Sequence, residues 1–193
     1  GILKERTDTG RIYLVFIDNV MNQGPFDPEY HTIYQSNLCC EILLPTKPFK
    51  RLDDPAGRIA LCTLGSINWG AFRNPEDMRR ACRVLLRSLN NILDYQDFLS
   101  IQSRLSNDEI RPIGIGITNL AYWHAKRSFK YGTKEALQDV KKWMEHQAYY
   151  LTEMSVELAQ ERGACQNSAR TFYGQGIFPW ERRSEGVNEL ADF

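Results

Sequence analysis

Apolar positions along the chain fall into two patterns, continuous runs and steps of three to four. The run Arg11-Ile12-Tyr13-Leu14-Val15-Phe16-Ile17 is apolar nearly throughout and rich in β-branched and aromatic residues. That composition predicts a strand covered on both faces, as in α/β proteins. Ahead of it, Ile2-Leu3-Lys4-Glu5-Arg6 reads as the end of a helix stopped at Thr9-Gly10. A short extended run at residues 41–44 ends at Pro45, and residues 58–64 form a second strand candidate closed by Gly65-Ser66. Residues 111–123 pass from extended to helical, with Gly114 and Gly116 where backbone must approach something closely.

Helical steps dominate elsewhere. Asn74-Pro75-Glu76-Asp77 supplies an N-cap amide, a first-turn proline and acids that suit the macrodipole. Met78, Cys82, Leu85, Leu89 and Ile92 then form a buried stripe, with Arg79, Arg80, Arg83 and Arg87 on a solvated face. Thr133 caps a second long helix whose stripe is Leu137, Val140, Met144, Leu151, Met154 and Leu158, ending at Gly163. The tail from residue 164 reads as a loop and one short terminal helix. The order strand, loop, strand, helix, strand, helix predicts an α/β architecture in a single domain spanning residues 1–193.

The loop at residues 18–34 is longer than the roughly 12–15 residues of ordinary connections, which points to function. It leads into Gln35-Ser36-Asn37-Leu38-Cys39-Cys40-Glu41-Ile42, where an amide, a thiol and a carboxylate recur at every second position. In an extended segment Asn37, Cys39 and Glu41 share one face, leaving Leu38, Cys40 and Ile42 to packing. An amide to hold a substrate, a sulfur to react and a carboxylate to move protons make a chemical site. If residues 58–64 lie beside this stretch, Cys62 comes within reach of the Cys39 face, in a register that the sequence leaves open.

Composition narrows the function classes. The 24 basic and 24 acidic residues balance, so no net charge draws the chain to nucleic acid. No apolar run approaches the roughly 18 residues of a membrane span, and residues 4–8 interrupt any N-terminal signal. Five cysteines without Cys-x-x-Cys spacing fit a reducing cytoplasm. Their spacing with His31 matches no common zinc pattern, and the G-x-G at residues 114–116 lacks the third glycine of a dinucleotide fingerprint. The chain starts at Gly1 inside a helix and reads as a piece of something longer.

Three quoted segments carry a resemblance: Ser36-Asn37-Leu38-Cys39-Cys40-Glu41-Ile42, Leu61-Cys62-Thr63-Leu64 and Arg111-Pro112-Ile113-Gly114-Ile115-Gly116. Thr9-Gly10-Arg11-Ile12-Tyr13 and Gly163-Ala164-Cys165 agree in order and spacing. Together they resemble the large, catalytic subunit of class I ribonucleotide reductases, with the adjacent Cys39-Cys40 pair similar to tailed-phage versions. The resemblance covers nearly the whole chain but only the central part of such a subunit.

It implies part of a ten-stranded α/β barrel with a central finger loop. By the resemblance, Cys39 becomes a thiyl radical that takes the ribose 3′ hydrogen. Glu41 takes the 3′-hydroxyl proton, Asn37 holds the sugar, and Ser36 joins them in binding substrate. Cys62 matches one member of a redox pair whose partner lies N-terminal to this sequence. The implied substrate is a ribonucleoside diphosphate. The implied partners are the remaining large-subunit segments, a small subunit with a di-metal tyrosyl radical, and thioredoxin or glutaredoxin. No metal or cofactor is expected on this segment, and ATP and deoxynucleotide effectors are expected to bind outside it. The competing readings are a glycyl-radical lyase, which needs neither Glu41 nor Cys62, and a non-catalytic assembly piece that packs against a partner.

Overall fold

A computed structural model describes residues 1–177. Helices α1 (Ile2–Thr9) and α2 (Ile17–Gln23) precede a long irregular stretch, followed by strand β1 (Thr63–Asn68) and helices α3 (Pro75–Tyr95) and α4 (Ile101–Ile110). Strand β2 (Ile113–Thr118), helix α5 (Leu120–Lys126) and helix α6 (Lys134–Arg162) complete the order. The short terminal helix expected beyond residue 177 lies outside the described residues.

The unit that organises these elements is β1–α3–α4–β2. The two strands run parallel in register from Thr63 opposite Ile113 to Asn68 opposite Thr118. Parallel strands require a crossover, and α3 supplies it while packing on both β1 and α6. Ile67, Trp69, Phe72, Met78, Cys82, Trp123 and Trp143 form the core where these elements meet. Gly65 does not close a strand as expected but lies inside β1. A β-carbon there would stand 2.8 Å from Leu85 Cδ1 and 3.1 Å from Leu89 Cδ1, so the bare backbone lets α3 approach the sheet.

The helix ends follow their capping residues. Asn74 Oδ1 accepts a hydrogen bond from the Asp77 N–H at 2.9 Å, and Thr133 Oγ1 accepts from the Ala136 N–H at 3.4 Å. Gly10 ends α1 in the left-handed region at φ 67°, and Gly163 ends α6 at φ 86°. Both long helices bury the expected stripe only in part: Met78, Cys82 and Leu89 of α3 and Met154 of α6 are buried as expected. On α3, Leu86 and Leu93 are buried and Ile92 is exposed. On α6, Leu137 and Met144 are exposed, while Asp139, Trp143 and Gln147 are buried. Gln147 Oε1 accepts from Trp69 Nε1–H at 2.7 Å and Asp139 Oδ2 from Trp123 Nε1–H at 2.8 Å, so indole donors draw these polar groups into the core.

The arginines of α3 are not simply a solvated face. Arg79, Arg83 and Arg87 pair with Glu153, Glu157 and Glu161 of α6, a ladder repeating every four residues on each helix. Helix α4 has no counterpart in the apolar pattern, because its buried side chains are Gln102, Ser103, Ser106 and Asn107. Ser100 caps it, and Gln102 Nε2 donates to the carbonyls of Leu52 and Asp54 at 3.0 and 2.9 Å, tying it to the preceding loop.

Residues 11–16 do not form the expected strand; α2 begins at Ile17 instead. Tyr13, Leu14, Val15 and Phe16 are exposed. Among the described residues no strand pairs with this run, and extended backbone without a hydrogen-bonded neighbour is not held as a strand.

Candidate active site

The stretch around Cys39 is a hairpin tip. Asn37 N–H donates to the Ile42 carbonyl at 3.3 Å, and Ile42 N–H donates to Asn37 Oδ1 at 3.3 Å. Within this closure Cys40 N–H donates to the Asn37 carbonyl at 3.1 Å. One asparagine thus uses backbone and side chain together to reverse the chain over Leu38, Cys39, Cys40 and Glu41, the local bonding that suits this residue to turns. Cys40 takes the left-handed conformation, φ 59°, which costs a residue bearing a β-carbon. Buried Ile33 and Leu44 anchor the two arms leading into the tip.

This turn replaces the expected extended segment and its alternation. Leu38, assigned to the packing face, is 90% exposed, and Cys40 is half-buried with its Sγ accepting from the Ser36 hydroxyl at 3.3 Å. Cys39 and Glu41 are exposed on the tip, and Asn37 is half-buried at its base.

Cys62 stands immediately before β1, and its run lies beside the tip arm. Lys47 and Arg58 pair antiparallel, with Lys47 N–H to the Arg58 carbonyl at 3.1 Å and the reciprocal bond at 3.0 Å. Beyond this bridge a cavity of about 110 Å³ is lined by Ser36, Asn37 and Cys62 together with Gln35, Ile42 and Thr46. Burial pushes the Cys62 thiol above its ordinary pKa, the Glu41 carboxylate pushes it further, and a backbone hydrogen bond from Gly114 opposes both. Gly114 is also the close approach expected of its segment: a β-carbon there would lie 2.5 Å from Leu64 Cδ2 and 3.4 Å from the Cys62 sulfur.

The structure therefore brings Ser36, Asn37 and Cys62 to one cavity, with the Glu41 charge acting on the Cys62 thiol and Cys39 exposed on the same tip. Cys82 and Cys165 lie elsewhere. Cys82 is fully buried in the core, where desolvation holds its thiol up to about 11, and Cys165 follows α6 with its thiol raised by burial. All five cysteines are free thiols. No group of three or more His, Cys, Asp or Glu side chains able to hold a metal gathers among the described residues.

Sequence reading passed over several groups at this site. Ile42, Leu44 and Thr46 line the small cavity from one arm and Ala60 and Cys62 from the other, a two-residue alternation present in the sequence. A wider cavity of about 690 Å³ runs from Glu41 past Leu43 to Phe26, Arg111 and Tyr173. Separately, Arg58 Nε and Nη2 donate to Glu109 at 2.8 and 2.6 Å. That pair spans 51 residues, and no local pattern announces it.

Comparison with known families identifies the chain's family. A profile described as ribonucleotide reductase, barrel domain, matches residues 1–191, and the chain belongs to that family. Within it, the chain is similar to ribonucleoside-diphosphate reductase subunit alpha of Haemophilus influenzae, 38% identical over 190 residues. That alignment covers 98% of this chain and 25% of the relative. Ribonucleoside-diphosphate reductase 1 subunit alpha of Escherichia coli K12 is 38% identical over 191 residues, covering 99% of this chain and 25% of its own length. The alpha subunit of Enterobacteria phage T4 is 32% identical over 192 residues, covering 98% and 25%. The chain thus spans about a quarter of the length of the curated relatives it matches.

Proposed function

We propose that residues 1–193 form part of one catalytic barrel domain of a ribonucleoside-diphosphate reductase, ten-stranded when complete, and carry its thiyl-bearing finger loop. The observation that carries this reading is the hydrogen-bonded tip. It presents Cys39 and Glu41 two residues apart, while Ser36, Asn37 and Cys62 share the adjoining cavity.

On this reading Cys39, once oxidised to a thiyl radical, takes the hydrogen atom from the ribose 3′ carbon, re-forming an S–H bond. Glu41 accepts the 3′-hydroxyl proton, and the Asn37 carboxamide with Ser36 holds the sugar. The 2′-hydroxyl leaves as water. Cys62 and a second thiol from a segment outside this chain supply the two electrons and close to a disulfide. The Cys39 S–H and the protonated Glu41 then return the hydrogen atom and the proton to the 3′ carbon and its oxygen, regenerating the thiyl radical. The raised pKa of Cys62 supports its role, because a thiol that stays protonated at neutral pH keeps a hydrogen for the departing hydroxyl. The initiating oxidation belongs to a radical-bearing small subunit, and thioredoxin or glutaredoxin reopens the disulfide.

The test supplies the segments that the relatives carry and this chain does not span, with a small subunit and a dithiol, and follows loss of the 2′-hydroxyl from a ribonucleoside diphosphate. Cys39→Ser and Cys62→Ser are expected to abolish turnover, and Glu41→Gln to lower it by roughly 10²–10⁴-fold, the usual scale of general-base loss. Turnover that survives Cys39→Ser would sink the reading. An inert wild-type assembly would favour a packing role.

A further inference from the structure

We propose that Cys39 and Cys40 form a vicinal dithiol at the loop tip that hydroperoxides close to a cyclic disulfide, a reversible modification site separate from the Cys62 redox pair. Adjacent cysteines on an extended strand point to opposite faces and cannot meet. The turn removes that barrier: the chain reverses over residues 38–41, and Cys40 holds a left-handed φ of 59° where glycine or asparagine would sit at less cost. Cys39 is exposed to oxidant, and Ser36 Oγ–H fixes the Cys40 sulfur at 3.3 Å within the tip. Of the two tip cysteines, the proposed catalysis uses Cys39 and gives Cys40 no role, which leaves its sulfur for this second chemistry.

The step balances with a hydroperoxide as the oxidant. The Cys39 sulfur attacks the O–O bond, becoming a sulfenic acid as the hydroperoxide leaves as an alcohol or as water. The Cys40 sulfur then displaces the sulfenic oxygen, which leaves as water once protonated, and the S–S bond forms. Both thiols are oxidised by one equivalent of hydroperoxide. Consecutive Cα atoms stand about 3.8 Å apart, short of the roughly 4.4–6.8 Å of relaxed disulfides, so the ring is strained and a dithiol reopens it readily. Cys62 competes poorly for Cys39, since burial and the Glu41 charge keep its thiol protonated. That closure silences the thiyl-bearing cysteine rests on the reductase reading; the closure itself does not.

The experiment treats the chain with one equivalent of hydrogen peroxide, blocks remaining thiols, and maps cysteines by peptide mass spectrometry without assaying turnover. The expected product is one peptide holding a Cys39–Cys40 disulfide, with Cys62, Cys82 and Cys165 alkylated and both tip thiols restored by dithiothreitol. In Cys40→Ser, Cys39 is expected to stop at a sulfenic acid captured by dimedone. A disulfide joining Cys62 to either tip cysteine overturns the proposal, as does a wild-type Cys39 that dimedone traps as fully as in Cys40→Ser. Disulfide closure in a chain whose completed assembly shows no reduction would instead count against the reductase reading alone.

Discussion

Cys62 is the residue whose surroundings set its chemistry most directly. Its thiol is raised first by burial and then by the Glu41 carboxylate, so removing that charge must lower it again. Glu41→Gln is therefore expected to speed alkylation of Cys62 by iodoacetamide at neutral pH, with the rate-against-pH midpoint moving down. Peptide mapping separates Cys62 from the exposed Cys39, and an unmoved midpoint would mean that the two groups do not sense each other. From the sequence, the nearness of Cys62 was legible only on condition that residues 58–64 lie beside the tip, and the shared cavity of Cys62, Ser36 and Asn37 meets that condition. The shape of the tip was not legible, because alternation assumes an extended backbone, whereas Asn37 bends the chain by taking two backbone N–H groups for itself.

At the scale of elements, the clamp between Arg58 and Glu109 joins the arm beside Cys62 to α4. Both side chains are largely buried, and the hydrogen bonds from Arg58, reinforced by its charge, hold the Glu109 carboxyl below the ordinary carboxylate range. A depressed folded pKa contributes stability that is complete above the unfolded value and is lost as pH falls through the folded one. Glu109→Gln is expected to cost about 2 kcal/mol at pH 7, where it leaves a largely buried guanidinium with a weaker partner, and less in acid. Urea unfolding at pH 7 and pH 3 checks both the size and the direction. The ladder of Arg79, Arg83 and Arg87 against the α6 glutamates is more exposed, so its contribution should fade as salt is added.

Helix caps were readable because a single side chain satisfies a local N–H. The buried stripe of α6 was legible only in part, because Asp139 and Gln147 enter the core as acceptors for tryptophan indoles. Helix α4 escaped notice for the same reason, since its buried face is polar and an apolar count does not register it.

For the whole molecule, two parallel strands form the sheet among the described residues, and a parallel sheet is ordinarily covered and flanked. Apolar side chains of residues 13–16, with Leu38, Leu52 and Leu99, stand in solvent. The 193-residue chain alone is therefore expected to associate at micromolar concentration and to bind a hydrophobic dye, as open edges and apolar patches do. Sedimentation velocity settles this, and a stable monomer with two-state unfolding would count against a partial barrel. Fold class was legible because runs and helical steps alternate along the chain. The loss of the expected strand at residues 11–17 was not, because strand formation depends on a neighbour and not on composition alone.

The core also contains Trp69, Trp123 and Trp143 edge to face, with successive ring centroids 5.8 and 4.8 Å apart, and the Arg127 guanidinium 4.8 Å from the Trp123 ring. Indoles at such separations share their electronic excitation, and a cation against the ring face alters its emission. Since Trp69 directly follows β1, while Trp123 lies on α5 and Trp143 on α6, the cluster joins these elements and gives the chain its own optical gauge of assembly. A near-ultraviolet circular dichroism couplet should vanish on unfolding and collapse in Trp123→Phe, reporting the closure of the core without any added label.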